Sequence, residues 1–154
     1  MKIMFICTGN ICRSAMAEGL LKKQAHEAGL NIEVCSCGIY AEDGSAATYS
    51  AIEAAKEYDT DITSHKATHI RNSQITQMNV ILCATNGHKQ MVIQMYPSLK
   101  EKVFTMKEYV YGEAQDISDP WGYDIETYRK CASQINDITE KIIQKHLTKQ
   151  KNSI

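Results

Sequence analysis

The sequence predicts an α/β fold, a three-layer sandwich with a central four-stranded parallel sheet and helices on both faces. Three observations carry that prediction. Ile3-Met-Phe-Ile6 is apolar and short enough for a buried strand, and Ser14-Ala-Met-Ala-Glu-Gly-Leu-Leu21 soon after it has helical periodicity. Val80-Ile-Leu-Cys-Ala84 is apolar throughout, as a central parallel strand covered on both faces must be. Strand-like and helix-like stretches alternate along the chain, the pattern of parallel strands joined by helical crossovers.

Taken in order, the first helix is expected from Arg13 to Ala28, with Gly29 as its stop. Ala17, Leu20, Leu21 and Ala28 form its buried stripe, and Glu18, Lys22 and Lys23 face water. Asn31 to Cys37 alternates polar and apolar residues as a half-buried second strand does. Residues 38–45 form a loop longer than a simple connector, and Tyr40 within it is a candidate wall for a ligand. An alanine-rich helix follows over 46–58, then an irregular segment at 61–65 and a helical turn at 73–77. The third strand is 80–84, a helix over 86–96 is closed by Pro97, and 102–106 supplies the fourth strand. Tyr128, Cys131, Ile135, Ile138 and Ile142 recur at helical spacing and mark the core face of a long last helix. From Thr148 the chain is polar and is expected to fray. We therefore expect one domain over 1–147 and a tail over 148–154.

The 154 residues suffice for one domain with a proper core. Seventeen lysines and arginines against 18 acidic residues create no global field favouring nucleic acid or an anionic membrane. No apolar run approaches ~20 residues, and the N-terminus lacks a charged-then-apolar signal pattern. A soluble, cytoplasmic monomer is the expectation. In that compartment the six cysteines are thiols rather than a disulfide framework. Neither they nor the five scattered histidines fall at zinc-ligand spacings, so no metal and no cofactor is expected.

The chemistry concentrates in Cys7-Thr8-Gly9-Asn10-Ile11-Cys12-Arg13-Ser14. Strand, tight loop and helix start aim backbone N–H groups and the positive end of a helix dipole at one point, which is a site for an anion. Such surroundings favour the thiolate, the form in which cysteine attacks. Arg13 adds a planar fork matching two oxygens of a phosphate. A Cys-x5-Arg spacing alone arises often by chance. The preceding strand, two residues able to take positive φ, and Ser14 at the helix start make it informative. A second informative stretch is Asp116-Ile-Ser-Asp119-Pro120-Trp121-Gly122-Tyr123. Pro120 restricts Asp119 to an extended conformation, and Trp121 and Tyr123 are aromatic walls for a planar substrate.

The loop, with Ala15-Met16-Ala17-Glu18 after it and Asp119-Pro120 late in the chain, resembles the low-molecular-weight protein tyrosine phosphatases, from residue 1 to about 146. The resemblance implies metal-free hydrolysis of phosphorylated proteins. Cys7 would be the nucleophile, Arg13 the phosphate clamp, and Asp119 the general acid. Thr8, Gly9, Asn10, Ile11, Cys12 and Ser14 would hold the substrate together with Tyr40 and Trp121. It further implies that Ser36 and His65 brace Asn10, and that Cys7 and Cys12 form a reversible protective disulfide.

Three rivals remain. An arsenate reductase shares the fold, and Cys83 stands near one of its redox cysteines, but residues 84–96 hold no further cysteine for the relay. A phosphate sensor would be expected to lack Cys7, Arg13 or Asp119. Protein-arginine phosphatases are the nearer rival, since 103–110 and 38–41 look similar to that branch. Ile11 favours phosphotyrosine, because an apolar rim buries a phenyl ring well and a guanidinium poorly. The arginine branch characteristically has Thr there.

Overall fold

The computed structural model describes residues 1–152. Its four strands are β1 (Lys2–Cys7), β2 (Glu33–Gly38), β3 (Val80–Cys83) and β4 (Val103–Thr105). They form one parallel sheet in the order β2-β1-β3-β4. Five α-helices accompany them among the described residues: α1 (Arg13–Glu27), α2 (Tyr49–Lys56), α3 (Asn86–Met95), α4 (Met106–Tyr111) and α5 (Ile125–Asn152). Successive side chains of a strand face opposite sides of a sheet, and β1 serves two cores in this way. Ile3, Phe5 and Cys7 join the core built with α1 and α5, while Met4 and Ile6 join the one that includes Val92 of α3. The expected three layers are therefore present.

Several boundaries differ from expectation for identifiable reasons. The second helix begins at Tyr49 rather than 46, because the Thr48 N–H bonds to the Ile11 carbonyl and the Thr48 hydroxyl caps the helix through Ala51 N. β4 stops at Thr105, which with Glu108 forms a capping box that opens α4, a helix the apolar pattern does not announce. The last helix, α5, extends through Asn152, past the point at Thr148 where the polar tail is expected to begin, and residues 153–154 lie outside those described. Glu18 is half-buried rather than solvent-facing, and it accepts from the Ser36 hydroxyl at 2.7 Å. The five residues read as the core face of the last helix are all buried.

In open parallel sheets the binding crevice lies beyond the carboxyl ends of the strands, where the chain order reverses direction. That point falls here between β1 and β3. Cys7 closes β1, and Ala84, just past β3, donates to the Ile6 carbonyl beside it.

Candidate active site

The loop from Cys7 to Arg13 turns at Asn10, whose φ of 57° lies in the left-handed region. A non-glycine residue is held there only if its surroundings compensate. Four contacts do so. The Asn10 amide donates to Ser14 Oγ at 2.8 Å and to Ser36 Oγ at 2.9 Å. Its Oδ1 accepts from Thr68 N at 2.9 Å, and its backbone carbonyl accepts from His65 Nε2 at 2.6 Å. Ser36 and His65, far apart in sequence, thus both reach Asn10.

With Asn10 tied back, the loop keeps its backbone donors out of main-chain pairing. Among the described residues, no backbone N–H from Thr8 to Arg13 donates to a main-chain carbonyl. No acidic side chain in the first turn of α1 neutralises the positive end of its dipole. Ser14 Oγ lies 2.9 Å from Cys7 Sγ. Because this hydroxyl already accepts from Asn10, its own proton is free to point at the sulfur.

Arg13 is almost wholly buried. Its Nη1 donates to the Ile117 carbonyl at 2.8 Å, while Nη2 lies 3.6 Å from Asp119 Oδ2. The Ile117 N–H in turn bonds to Ala84, so the end of β3 anchors the arginine. Arg13 Nε is buried without a partner among the described residues. An oxyanion in the cleft would satisfy that donor, which is otherwise costly to bury. Asp119 stands at the cleft with its side chain about half exposed (51%), oriented by the Trp121 N–H bonding to Oδ1 at 3.0 Å.

Cys7, Thr8, Gly9, Ile11, Cys12, Arg13, Asp119 and Trp121 together line a cleft of about 230 Å³. Three residues expected to touch substrate do not line it. Asn10 and Ser14 are fully buried and turn their side chains to bracing. Tyr40 is 69% exposed, because its neighbours Ile39 and Ala41 take the inward positions. What Tyr40 contributes to the loop is its backbone N–H, which bonds to the Thr8 carbonyl. Tyr123, also expected as a wall, is exposed and outside the lining. Cys12 is held by Tyr128 Oη at 3.3 Å and Thr48 Oγ1 at 3.7 Å, and burial pushes its pKa up. Cys7 and Cys12 are both free thiols. Cys83 is fully buried and outside the lining of the cleft, and burial pushes its thiol up.

Sequence reasoning missed His88 and Gly38. His88, on the first turn of α3, reaches Thr8 Oγ1 with Nε2 at 2.8 Å. A Cβ on Gly38 would meet Thr8 O at 2.6 Å and Asn10 N at 2.9 Å. Neither carries a local signal, since both act across strand pairings. Among the described residues, no group of three or more potential ligands could hold a metal ion. No described helix is long and apolar enough to cross a membrane.

An α/β sheet whose first strand delivers a cysteine into a loop of unpaired backbone donors, closed by a buried arginine and faced by an aspartate, makes a cleft suited to a phosphoryl group. The chain belongs to the low molecular weight phosphotyrosine protein phosphatase family, whose model matches residues 2–153. It is 35% identical to the protein-arginine-phosphatase of Geobacillus stearothermophilus over 149 residues, covering 97% of this chain and 98% of that one. It is also 35% identical to the low molecular weight protein-tyrosine-phosphatase PtpB of Staphylococcus epidermidis RP62A, covering 95% and 99%. A solved structure of the YwlE arginine phosphatase, a mutant with a phosphorylated active-site serine, superposes with a TM-score of 0.90 at 34% identity, covering 94% of this chain and 95% of that one.

Proposed function

We propose that this chain hydrolyses phosphotyrosine in proteins through a phosphocysteine intermediate, as a metal-independent cytoplasmic monomer. The observation that supports it most directly is the unpartnered, buried Arg13 Nε beside Cys7 in the cleft. Nη1 is committed to Ile117, so Nε and Nη2 form the edge of the fork left for two phosphoryl oxygens. The Cys7 thiolate attacks phosphorus, and the ester oxygen departs on the opposite side. Equatorial charge falls on the loop N–H groups and Arg13, which are already in place and need no reorganisation. Asp119 gives its proton to the departing oxygen. It then takes one from the water that cleaves the phosphorus–sulfur bond, releasing phosphate and Cys7. A cationic arginine and oriented dipoles supply what a metal would otherwise provide.

The choice of tyrosine rests on Ile11, half-buried at the rim of the cleft together with Trp121. Burying a phenyl ring against it is favourable by roughly 1–3 kcal/mol, whereas phosphoguanidinium N–H groups without acceptors would lose a comparable amount. The arginine reading is kept as second, since the Geobacillus relative carries that name at the same identity as the tyrosine phosphatase relative. Reversible pairing of Cys7 with Cys12 remains part of the proposal, as the two thiols line one cleft. The experiment is kcat/KM on matched phosphotyrosine and phosphoarginine peptides for wild type and Ile11→Thr. We expect wild type to prefer phosphotyrosine and the variant to move toward phosphoarginine. The opposite preference in wild type, or an unmoved ratio, overturns the assignment of Ile11.

A further inference from the structure

We propose that His88 is a positioning residue for this reaction: it aims the Thr8 hydroxyl proton into the phosphate cleft. The proposal rests on the phosphatase reading above. Its observation is that both ring nitrogens of this buried histidine, 8% exposed, are held by threonine hydroxyls. Nδ1 is 2.9 Å from Thr85 Oγ1, and Nε2 is 2.8 Å from Thr8 Oγ1. Thr85 is the N-cap of α3, and its Oγ1 also accepts the His88 backbone N–H at 3.1 Å.

These contacts favour one proton arrangement. A hydroxyl that accepts from a backbone N–H keeps its own proton to give, and Thr85 has Nδ1 as its taker. With Nδ1 the acceptor, the ring's single proton sits on Nε2 and is donated to Thr8 Oγ1. Thr8 is then an acceptor toward His88, and its own proton is directed to the other side. Thr8 lines the cleft, so that side holds the phosphoryl oxygens. The opposite tautomer would crowd two donors onto Thr85 Oγ1 and spend the Thr8 proton on the ring. The arrangement needs a neutral imidazole. Burial and the neighbouring Arg13 lower the His88 pKa to about 4, against the weaker pull of Asp116 and Asp119. The ring stays neutral through the physiological range.

A donor fixed in this way contributes without reorganising when charge develops on the transferring group. Removing a well-aimed oxyanion donor costs about 10²–10³ in rate. A side-chain hydroxyl in a half-open cleft is expected to give about tenfold.

The test is a double-mutant cycle on p-nitrophenyl phosphate with Thr8→Val, His88→Leu and the double variant. His88→Gln is added because its amide restores an N–H near Nε2. Each of Thr8→Val and His88→Leu should lower kcat/KM about tenfold, with no further loss in the double variant, and His88→Gln should recover most of the loss. Independent losses that multiply, or a Thr8→Val enzyme equal to wild type, would overturn the proposal. Should His88→Leu fail to fold, ¹⁵N spectra of the wild-type imidazole decide the matter without any variant. The Nε2–H tautomer supports the proposal and the Nδ1–H tautomer overturns it. Wild-type protein without turnover would instead overturn the phosphatase reading, and the tautomer would still be readable.

Discussion

The Asn10 side-chain amide and the Ser36 hydroxyl lie 2.9 Å apart although 26 positions separate them, and Ser36 passes its own proton to Glu18 at 2.7 Å. β2 pairs with β1 in a register that sets Ser36 opposite Phe5, two residues before the loop. The sheet thus carries the brace to Asn10, whose backbone is held at a positive φ.

Asn10→Ala removes three side-chain hydrogen bonds and leaves a residue at a positive φ that alanine resists. Each lost bond to a buried partner costs about 1–3 kcal/mol, and the strained conformation adds about 1–2 kcal/mol. The loop will relax rather than carry the whole of this. We expect a loss of about 2–3 kcal/mol in urea unfolding, together with at least a tenfold weaker inhibition by orthovanadate. Ser36→Ala, which leaves Ser14 and Thr68 in place, should do less in both measurements. Equal effects from the two variants would show that Ser36 alone holds the loop.

Gly38 is a second point where β2 touches the loop. An added methyl there would lie 2.6 Å from the Thr8 carbonyl oxygen and 2.9 Å from Asn10 N, both of them backbone atoms that cannot swing aside. Gly38→Ala is therefore expected to displace the loop, with kcat/KM on p-nitrophenyl phosphate falling well over tenfold. Gly29→Ala supplies the contrast: it strains a positive φ of 67° but meets nothing within 4 Å. That variant should lose stability while keeping activity. A Gly38→Ala enzyme of wild-type activity would mean that the loop tolerates movement.

How much of this could be read from the chain depends on whether the cause is local. Cys7, Arg13 and the helix start are consecutive, so strand, loop and dipole announce themselves in one stretch, and the sheet follows from apolar runs such as Val80–Ala84. Ser36 and His65 have no local signature and were reached only through family resemblance. His88 was invisible because its meaning depends on β3 lying beside β1, which brings the first turn of α3 against Thr8. Tyr40 misled because an aromatic residue beside a binding loop looks like a wall, whereas buried neighbours on both sides turn it outward. α4 escaped notice because a six-residue helix defined by its capping box shows little periodicity.

The buried His88 also makes stability depend on pH. Its pKa falls from 6.5 to about 4 on folding, chiefly by burial and then by Arg13. Between those values the unfolded chain binds more protons than the folded one, so stability rises with pH across this window. The contribution is fully present above about 6.5 and is lost as pH falls through about 4. A displacement of that size corresponds to ~3 kcal/mol at most, and water at the cleft mouth reduces it to about 2 kcal/mol. Urea titrations at pH 4.5 and 7 should show a smaller difference in His88→Gln than in wild type. Parallel profiles would mean that the ring remains solvated.

The last prediction concerns Asp119, placed at the cleft by two contacts with different consequences. The bond from the Trp121 N–H to Oδ1 orients the carboxyl, and Oδ2 lies 3.6 Å from Arg13 Nη2. An incoming phosphoryl group would compete for that arginine and leave Oδ2 free to meet the ester oxygen. A general acid matters in proportion to the basicity of the group it protonates. Asp119→Ala should therefore lower kcat/KM on an unactivated phenyl or tyrosyl phosphate by about 10²–10⁴, and much less on p-nitrophenyl phosphate, whose phenolate leaves without help. Plotted against leaving-group pKa, the variant's rates should fall steeply while those of wild type stay nearly flat. A purely structural aspartate, one that only holds Arg13 and the Trp121 turn in place, predicts the same proportional loss for every leaving group. Parallel lines would therefore remove Asp119 from the proton transfer and leave it as a support for the arginine.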